Sequence, residues 1–170
     1  MTRGDGVNDS LVAREATLAD AAAIAELVSQ LGYPTGVSDM RDRLAGLLPK
    51  ADYATFVVDT GSGVVGVVGV RSGNYYERPG SYAQVVLLSV AAGAQRKGVG
   101  RALLTAAEEW AKGRGVGAVL VRSGHQRFDA HGFYKHVGYT STGLRFVKEL
   151  NAPPNNEPRS RPAQGTEPRR

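Results

Sequence analysis

The stretch that decides the fold is SVAAGAQRKGVGRALLTAAEEWA, Ser89 to Ala111, in which QRKGVG spans Gln95 to Gly100. An apolar run precedes this glycine-rich segment and an amphipathic run follows it. From Gly98 to Arg114 apolar residues recur at helical spacing, which predicts a helix that begins at the glycines. Because the first N–H groups of a helix have no partner within it and carry partial positive charge, the pattern indicates a phosphate-binding site.

Three phosphate-binding patterns fit a glycine-rich joint of this kind, and they differ in spacing. In a dinucleotide fingerprint a third glycine would stand where this chain has Leu103. In a nucleotide P-loop, Lys and then Ser or Thr would follow Gly98, where this chain has Val99 and Gly100. The third pattern, Gln95-x-x-Gly98-x-Gly100, is complete.

This third pattern resembles the Q/R-x-x-G-x-G/A signature of the GCN5-related N-acetyltransferase (GNAT) superfamily. A strand that ends at Val90 precedes it by five residues, as in that family. Downstream, DAHGFYKHVGY (129–139) is similar to the family's A-x-x-F-Y-x-x-x-G-F/Y element, and RFVKEL (145–150) is similar to its closing strand. The resemblance covers residues 82–150 closely. It implies the acyl-CoA N-acyltransferase fold, an α/β architecture with a mixed, mostly antiparallel central sheet and flanking helices.

Length and composition agree with one globular domain. The chain has 170 residues, 42% of them apolar and 22% charged, without a run of 18 apolar residues that would predict a membrane span. Cysteine is absent and no secretory signal is evident, so we expect a cytoplasmic protein without disulfides. The expected organisation is a flexible N-terminus at 1–10, an N-acetyltransferase domain at 11–150 and a disordered Pro/Arg-rich tail at 151–170.

The expected order of elements is β α α β β β α β α β. The first helix follows Thr17 as N-cap, and Leu18, Ala21, Ala22, Ala25 and Val28 are expected on its buried face. Tyr82 to Val90 is apolar throughout, so this strand is expected to be central and covered on both sides. The predicted segments are strands at 11–17, 53–60, 64–71, 82–90, 118–123 and 142–150, and helices at 18–32, 38–48, 98–114 and 129–138.

The resemblance implies acetyl-CoA as the donor. Its pyrophosphate would be held by main-chain N–H groups of the glycine-rich segment, where a Cβ at Gly98 or Gly100 would hinder close approach. Its pantetheine arm would meet main-chain groups of the central strand, where that strand separates from its neighbour. The expected cofactor-binding residues are Leu88, Val90, Gln95, Arg96, Lys97, Gly98, Val99, Gly100 and Arg101.

Acetyl transfer also needs an acid for the departing thiolate and a neutral amine. Tyr134 matches the family tyrosine that is taken as general acid. Gln84 falls where the histone-acetylating branch has a catalytic glutamate, and an amide cannot act as a base near neutral pH, so water-mediated deprotonation is expected instead. His125 and His131 are further candidates on the substrate side. Their spacing does not suit a metal site, and none is expected.

The acceptor is expected to be a primary amine of a small molecule or a peptide. The loop Asn74 to Tyr82, with its aromatic residues and Glu77, would bind a cationic amine or simply shield the sheet. Two other functions stay open: a CoA-binding sensor without turnover, and a nucleic-acid-binding module suggested by the net charge of +5. Against the latter, acidic residues alternate with basic ones in 39–43, and no nucleic-acid partner is expected. A homodimer is left open.

Overall fold

The structure is a computed structural model that describes residues 11–123, 127–143 and 146. Its elements follow the predicted order as far as the described residues extend. The strands are β1 (Ala13–Glu15), β2 (Tyr53–Asp59), β3 (Val64–Asn74), β4 (Ser81–Val90) and β5 (Val119–Val121). The helices are α1 (Ala21–Gln30), α2 (Val37–Leu47), α3 (Val99–Gly113) and α4 (Phe128–His136), with short 3₁₀ turns at Leu18–Asp20 and Ala92–Ala94.

The five strands form one sheet in the order β1-β2-β3-β4-β5. The pairs from β1 to β4 are antiparallel, and β4 pairs with β5 in parallel. The parallel pair follows from the crossover through α3, which returns the chain to the end of the sheet where β4 began. The expected α/β class with a mixed, mostly antiparallel sheet is therefore confirmed.

Helices cover both faces of the sheet, and each face has its own apolar core. On one face α3 packs through Val99, Leu103 and Ala107 against Val68, Val70 and Val85 of the sheet. On the other face α1 and α2 pack through Ile24, Leu27 and Leu44 against Val57 and Val67. We call these the α3 face and the α1/α2 face.

An ion pair between β1 and the 3₁₀ turn before α1 anchors the start of the first helix. Thr17, the predicted N-cap, forms a capping box with Asp20 at the 3₁₀ turn that precedes α1: the Thr17 N–H donates to Asp20 Oδ2 at 2.8 Å. Arg14 of β1 donates to both carboxylate oxygens of Asp20, at 2.9 and 2.8 Å. These bonds hold the carboxyl group ionised although Asp20 is only 7% exposed, and the Arg14 hydrogen bonds lower the Asp20 pKa.

Local differences from the predicted pattern are small. Only Ala13–Glu15 of the expected 11–17 strand pair with β2. Ala22 is exposed, contrary to the prediction, because Ile24 and Leu27 turn toward the sheet. Residues 1–10 and 151–170 and most of the predicted 142–150 strand lie outside the described residues. In the described part of the chain, no helix is long and apolar enough to cross a membrane.

Candidate functional site

The N-terminus of α3 is built from main-chain groups alone. Gly98 is the N-cap residue, no side chain caps the helix, and the first bond of the helix runs from the Ala102 N–H to the Gly98 carbonyl oxygen at 3.0 Å. The N–H groups of Gly98 to Arg101 therefore have no partner within the helix. Together with the helix dipole they form a donor set suited to phosphate oxygens.

The turn that leads into α3 has an unusual backbone. Arg96 has a φ of 60°, the only left-handed value for a non-glycine residue in the described ranges. Such a conformation is uncommon outside glycine and tends to occur at functional sites. Gln95 donates from Nε2 to the Val90 carbonyl oxygen at 3.4 Å. Arg96 and Lys97 are exposed, so their charges are available to a ligand at the helix N-terminus.

The two glycines of the signature are required for different reasons. Gly98 has a φ of 86°, and a Cβ there would meet only Leu11, at 3.8 Å. Gly100 is helical, but a Cβ there would lie 3.0 Å from Cζ of Phe133 in α4. The first glycine thus permits the left-handed turn, and the second permits α4 to pack against the helix N-terminus. Uncapped N–H groups, a glycine turn and flanking cations together fit the pyrophosphate of CoA.

A groove of about 490 Å³ lies beside the N-terminal part of α3. Residues 11–13, Lys97, Arg101 and Glu109 are among those that line it. The predicted cofactor residues Gln95 to Arg101 are therefore brought together around one helix terminus, and their N–H groups and charges point to an anionic ligand.

Beyond its first half, the strand β4 has an edge that pairs with no other described strand. It pairs with β5 only through residues 83–85, although β4 continues to Val90. The Ala91 N–H bonds to Val65 of β3. Because main-chain groups alternate in direction along a strand, those of Leu88 and Val90 face away from β3, toward this unpaired edge. Both predicted pantetheine contacts therefore have main-chain groups at the opening between β4 and β5.

A β-bulge marks where this opening begins. Gly69 of β3 pairs with Leu87 and the next residue, Val70, pairs with Val85, so Val86 is left without a partner. Val86 is 49% exposed, and the expected complete burial of this strand is wrong at that residue. The extra residue reverses the alternation of main-chain direction along β4. After the bulge, the main-chain groups that face the open edge are therefore those of the even-numbered residues.

The helix α4 places Tyr134 beside the α3 terminus. Its neighbour Phe133 packs on Gly100, and the Tyr134 ring lies 5.5 Å from that of Phe133 and 6.0 Å from that of Tyr139. The Tyr134 hydroxyl makes no hydrogen bond to another described residue. Burial raises the Tyr134 pKa, with the charge of Arg127 acting in the opposite direction, so the phenol keeps its proton at neutral pH.

At the position expected to lack a base, the neutral Gln84 amide accepts a hydrogen bond from a cationic side chain. Gln84, only 5% exposed, accepts a bond at Oε1 from Nη2 of Arg71 at 3.0 Å. The two residues are direct cross-strand partners. Arg71 has no role in the sequence analysis; the available signal was one charged residue in the otherwise apolar stretch VVGVVGVR of β3.

The remaining candidates are only partly described. His131 lies on α4, three residues before Tyr134, with its ring 6.1 Å from Phe128. His125 lies outside the described residues. In the 74–82 loop, the Tyr75 ring packs on Tyr82 at 5.1 Å, under the guanidinium of Arg78 at 4.0 Å. Among the described residues no group of His, Asp and Glu side chains could hold a metal ion.

Comparisons with known proteins find relatives of similar sequence and of similar architecture. An uncharacterized N-acetyltransferase of Bacillus subtilis (strain 168), YhdJ, is 28% identical over 125 residues, 73% of this chain and 87% of that protein. A GNAT family acetyltransferase structure from Staphylococcus aureus subsp. aureus USA300_TCH1516 superposes with a TM-score of 0.70 at 25% identity, over 83% of this chain and 99% of that one.

A second similar structure was determined with a CoA-containing ligand. It is AAC(6')-Iy in complex with the bisubstrate analog CoA-S-monomethyl-acetylneamine, with a TM-score of 0.75 at 12% identity, over 85% of this chain and 100% of that one. The family model described as Acetyltransferase (GNAT) family matches residues 22–139, which include strands β2 to β5, the α3 terminus and Tyr134. The chain therefore belongs to the GNAT acetyltransferase family and is an acetyl-CoA-dependent N-acetyltransferase.

Proposed function

We propose that this enzyme acetylates a primary amine of a small molecule or a peptide, with Tyr134 as general acid. The observation that carries the proposal is the uncapped N-terminus of α3 beside the Tyr134 helix. It combines an anion-binding donor set with a half-buried, protonated phenol, and both would serve a ligand at the opening between β4 and β5. Bound acetyl-CoA would supply an activated acetyl thioester at that opening.

The donor would be held mainly by the protein backbone. The N–H groups of Gly98 to Arg101 would bind the pyrophosphate, with Gln95, Arg96 and Lys97 contributing from the turn. The outward-facing main-chain groups of Leu88 and Val90 would bond to the pantetheine arm, as an added strand bonds to a sheet edge. This arrangement orients the thioester along the unpaired edge of β4.

Tyr134 would hold the proton that the leaving sulfur takes. As the new N–C bond forms and the C–S bond breaks, the Oη proton passes to the thiolate. Two features support this role: burial raises the phenol pKa, and the hydroxyl has no described hydrogen-bond partner that would compete for its proton. The ring contacts with Phe133 and Tyr139 fix its position.

Deprotonation of the incoming ammonium would proceed through water. Gln84 cannot accept a proton at neutral pH, and its Oε1 is already engaged by Arg71. A water at the opening would carry the proton away, and His131 is a candidate for receiving it because it lies one turn before Tyr134. His125 keeps the same proposed role on the acceptor side.

A free-thiol assay with a panel of primary amines tests this function. We expect acetyl-CoA-dependent thiol release with at least one amine of the panel, and Tyr134→Phe should reduce its turnover by roughly 100-fold or more. Calorimetry with CoA should give the same affinity for both proteins. Unchanged turnover in Tyr134→Phe would contradict the acid role, and CoA binding with no acetylated amine would favour a sensor.

Several wider predictions accompany this proposal. Domain limits at 11–150, a cytoplasmic location and a homodimer remain predictions. The nucleic-acid alternative is tested by an electrophoretic shift with random duplex at low salt, with and without residues 151–170. A shift that is seen only when residues 151–170 are present would assign nucleic-acid binding to the tail.

A further inference from the structure

A row of side chains crosses four strands on the α1/α2 face, next to the opening of β4. Tyr53 of β2 pairs with Arg71 of β3, Arg71 with Gln84 of β4, and Gln84 with Leu120 of β5. Directly paired residues point to the same face of a sheet. We call these four residues the cross-strand row.

Among the described residues, this row is only partly covered: Gln84 is buried, and Tyr53 and Arg71 are half-buried. The apolar core of the α1/α2 face reaches Val57, Val67 and Leu87 but not the apolar members of the row, Tyr53 and Leu120. Leu120, at the β5 end of the row, is 39% exposed. Since the opening between β4 and β5 begins after residue 85, the row lies about 7 Å or less along β4 from it. An acceptor lying on the row would therefore reach the thioester.

No described carboxylate neutralises the charge of Arg71. In the described ranges no carboxylate oxygen lies within 4.0 Å of the Arg71 guanidinium, whose one hydrogen bond goes to the neutral Gln84 amide. Its Nε is buried without a partner. A partly buried guanidinium normally bonds to a carboxylate or several carbonyl groups, because leaving its donors unsatisfied is costly.

Neighbouring cations add to this positive charge. Lys50 Nζ lies 5.5 Å above the Tyr53 ring. In the connection that follows β3, the Arg78 guanidinium stacks 4.0 Å from the centre of the Tyr75 ring. The nearest acidic residues along these segments, Asp52 and Glu77, are exposed, and neither forms an ion pair with a described residue. The surface thus suits an anionic group and repels polycations.

We infer that Arg71 binds a carboxylate of the acceptor, so that the preferred acceptors are amines that also carry a carboxylate, such as amino acids or peptides. This inference rests on the proposed acetylation of a primary amine. A planar carboxylate matches the guanidinium better than a lone point charge does. Gln84 is essential here: a carboxylate at that position would pair with Arg71 and cancel the charge that the acceptor uses.

The test compares acceptors that differ only in the carboxylate. The full chain is assayed with acetyl-CoA and the twenty L-amino acids, each beside its carboxamide, and with spermidine as a polycationic amine. For the best pair we expect kcat/KM for the acid to exceed that for the amide by about 10- to 100-fold, the effect of charge-assisted hydrogen bonds. Equal or better use of the amides in every pair would overturn the inference and leave the acetylation proposal intact.

Two substitutions assign the preference to Arg71. Arg71→Gln should reduce the acid-to-amide ratio to about 2 or less, and Gln84→Glu should do the same by supplying an internal carboxylate. Lys112→Gln, on the exposed side of α3, is the matched loss of charge and should keep the ratio. Unchanged acetyl-CoA affinity shows that each variant is folded. A ratio that survives both Arg71→Gln and Gln84→Glu would contradict the role of Arg71.

A binding measurement separates this inference from the proposed function. If no amine is acetylated, the acetylation proposal fails, but Arg71 is still tested by calorimetry with CoA and N-acetyl amino acids beside their amides. Acid-selective binding that Arg71→Gln abolishes supports the carboxylate site. Absence of acid-selective binding across the panel overturns it.

Discussion

Gly100 lies against the ring of Phe133, and a Cβ on Gly100 would stand 3.0 Å from Phe133 Cζ. This contact joins the N-terminus of α3 to the helix that carries Tyr134. The proposed phosphate-binding terminus and the proposed acid are thus held in register by one close approach of a backbone to an aromatic ring. The spacing between donor site and acid depends on glycine at this position.

Gly100→Ala tests that dependence. The alanine fits the helical backbone and raises helix propensity, by up to about 1 kcal/mol, so the protein should not lose stability. Phe133 must shift by a few tenths of an ångström, and Tyr134 moves with it. We expect turnover to fall about 3- to 10-fold in steady-state kinetics, with little change in urea unfolding.

A double-mutant cycle provides the control for Gly100→Ala. In a Phe133→Leu background the smaller side chain leaves room for the Cβ, so the second substitution should cost less there. We expect a coupling free energy of about 0.5–1.5 kcal/mol in kcat. Strictly additive effects would show that the contact does not position Tyr134.

Gly98→Ala should weaken both the fold and the donor site. At a φ of 86° an L-residue costs about 1–2 kcal/mol in unfolding free energy. If the backbone at residue 98 rotates to relieve that strain, the first N–H groups of α3 change direction. Acetyl-CoA affinity should therefore fall about 10-fold or more by calorimetry. Gly93→Ala, in the same connection but with open space around its Cβ, should leave both quantities unchanged. Equal effects of the two substitutions would argue against a backbone cradle.

Tyr134→Phe should reduce kcat far more than it changes KM for acetyl-CoA, because the hydroxyl acts when the C–S bond breaks. Burial raises the Tyr134 pKa above the usual 10.0, so its ionisation should not limit turnover at or somewhat above neutral pH. Tyr139→Phe is the matched control. It removes the 2.9 Å bond to Glu108 and should cost about 1–2 kcal/mol of stability while kcat stays within about twofold.

The Arg14–Asp20 pair should make stability depend on acidic pH. Hydrogen bonds from Arg14 lower the Asp20 pKa from 3.8, so its contribution is complete above that value and is lost as pH falls through the lower, folded-state pKa. Asp20→Asn should cost about 1.5–3 kcal/mol at pH 7 and flatten the acid limb in urea titrations. Asp59→Asn, at a more exposed contact 3.4 Å from Arg14, should cost under about 1 kcal/mol.

Much of the fold could be predicted because local residues encode it. Gly61-Ser62-Gly63 separates two apolar runs, and the structure pairs those runs as β2 and β3. The helical spacing after Gly98 likewise predicts α3, which ends at Gly113. The bulge at Val86 could not be predicted, because the residues of VVLL are alike and only the pairing with β3 selects the one that is left out.

The candidate site also has one part that the local sequence predicts and another part that it does not. The proposed main-chain binding at Gly98 and Gly100 rests on a local pattern, Gln95-x-x-Gly98-x-Gly100, which can be found in the sequence alone. Arg71 and Gln84 lie 13 residues apart, on different strands, and their hydrogen bond exists only through the register of β3 and β4. No local pattern carries that register, so a neutral partner for a half-buried arginine becomes visible only in three dimensions.

The bulge at Val86 divides β4 into two segments with different roles in these proposals. The first segment, 81–85, is paired with β5 or lies close to it, and it carries Gln84. In the second segment, 88–90, the main-chain groups of Leu88 and Val90 face the open edge. Side-chain identity matters in the first segment and backbone direction in the second. Under the proposals above, substitutions before the bulge would change what the enzyme accepts, while the main-chain geometry proposed for donor binding after the bulge would stay the same.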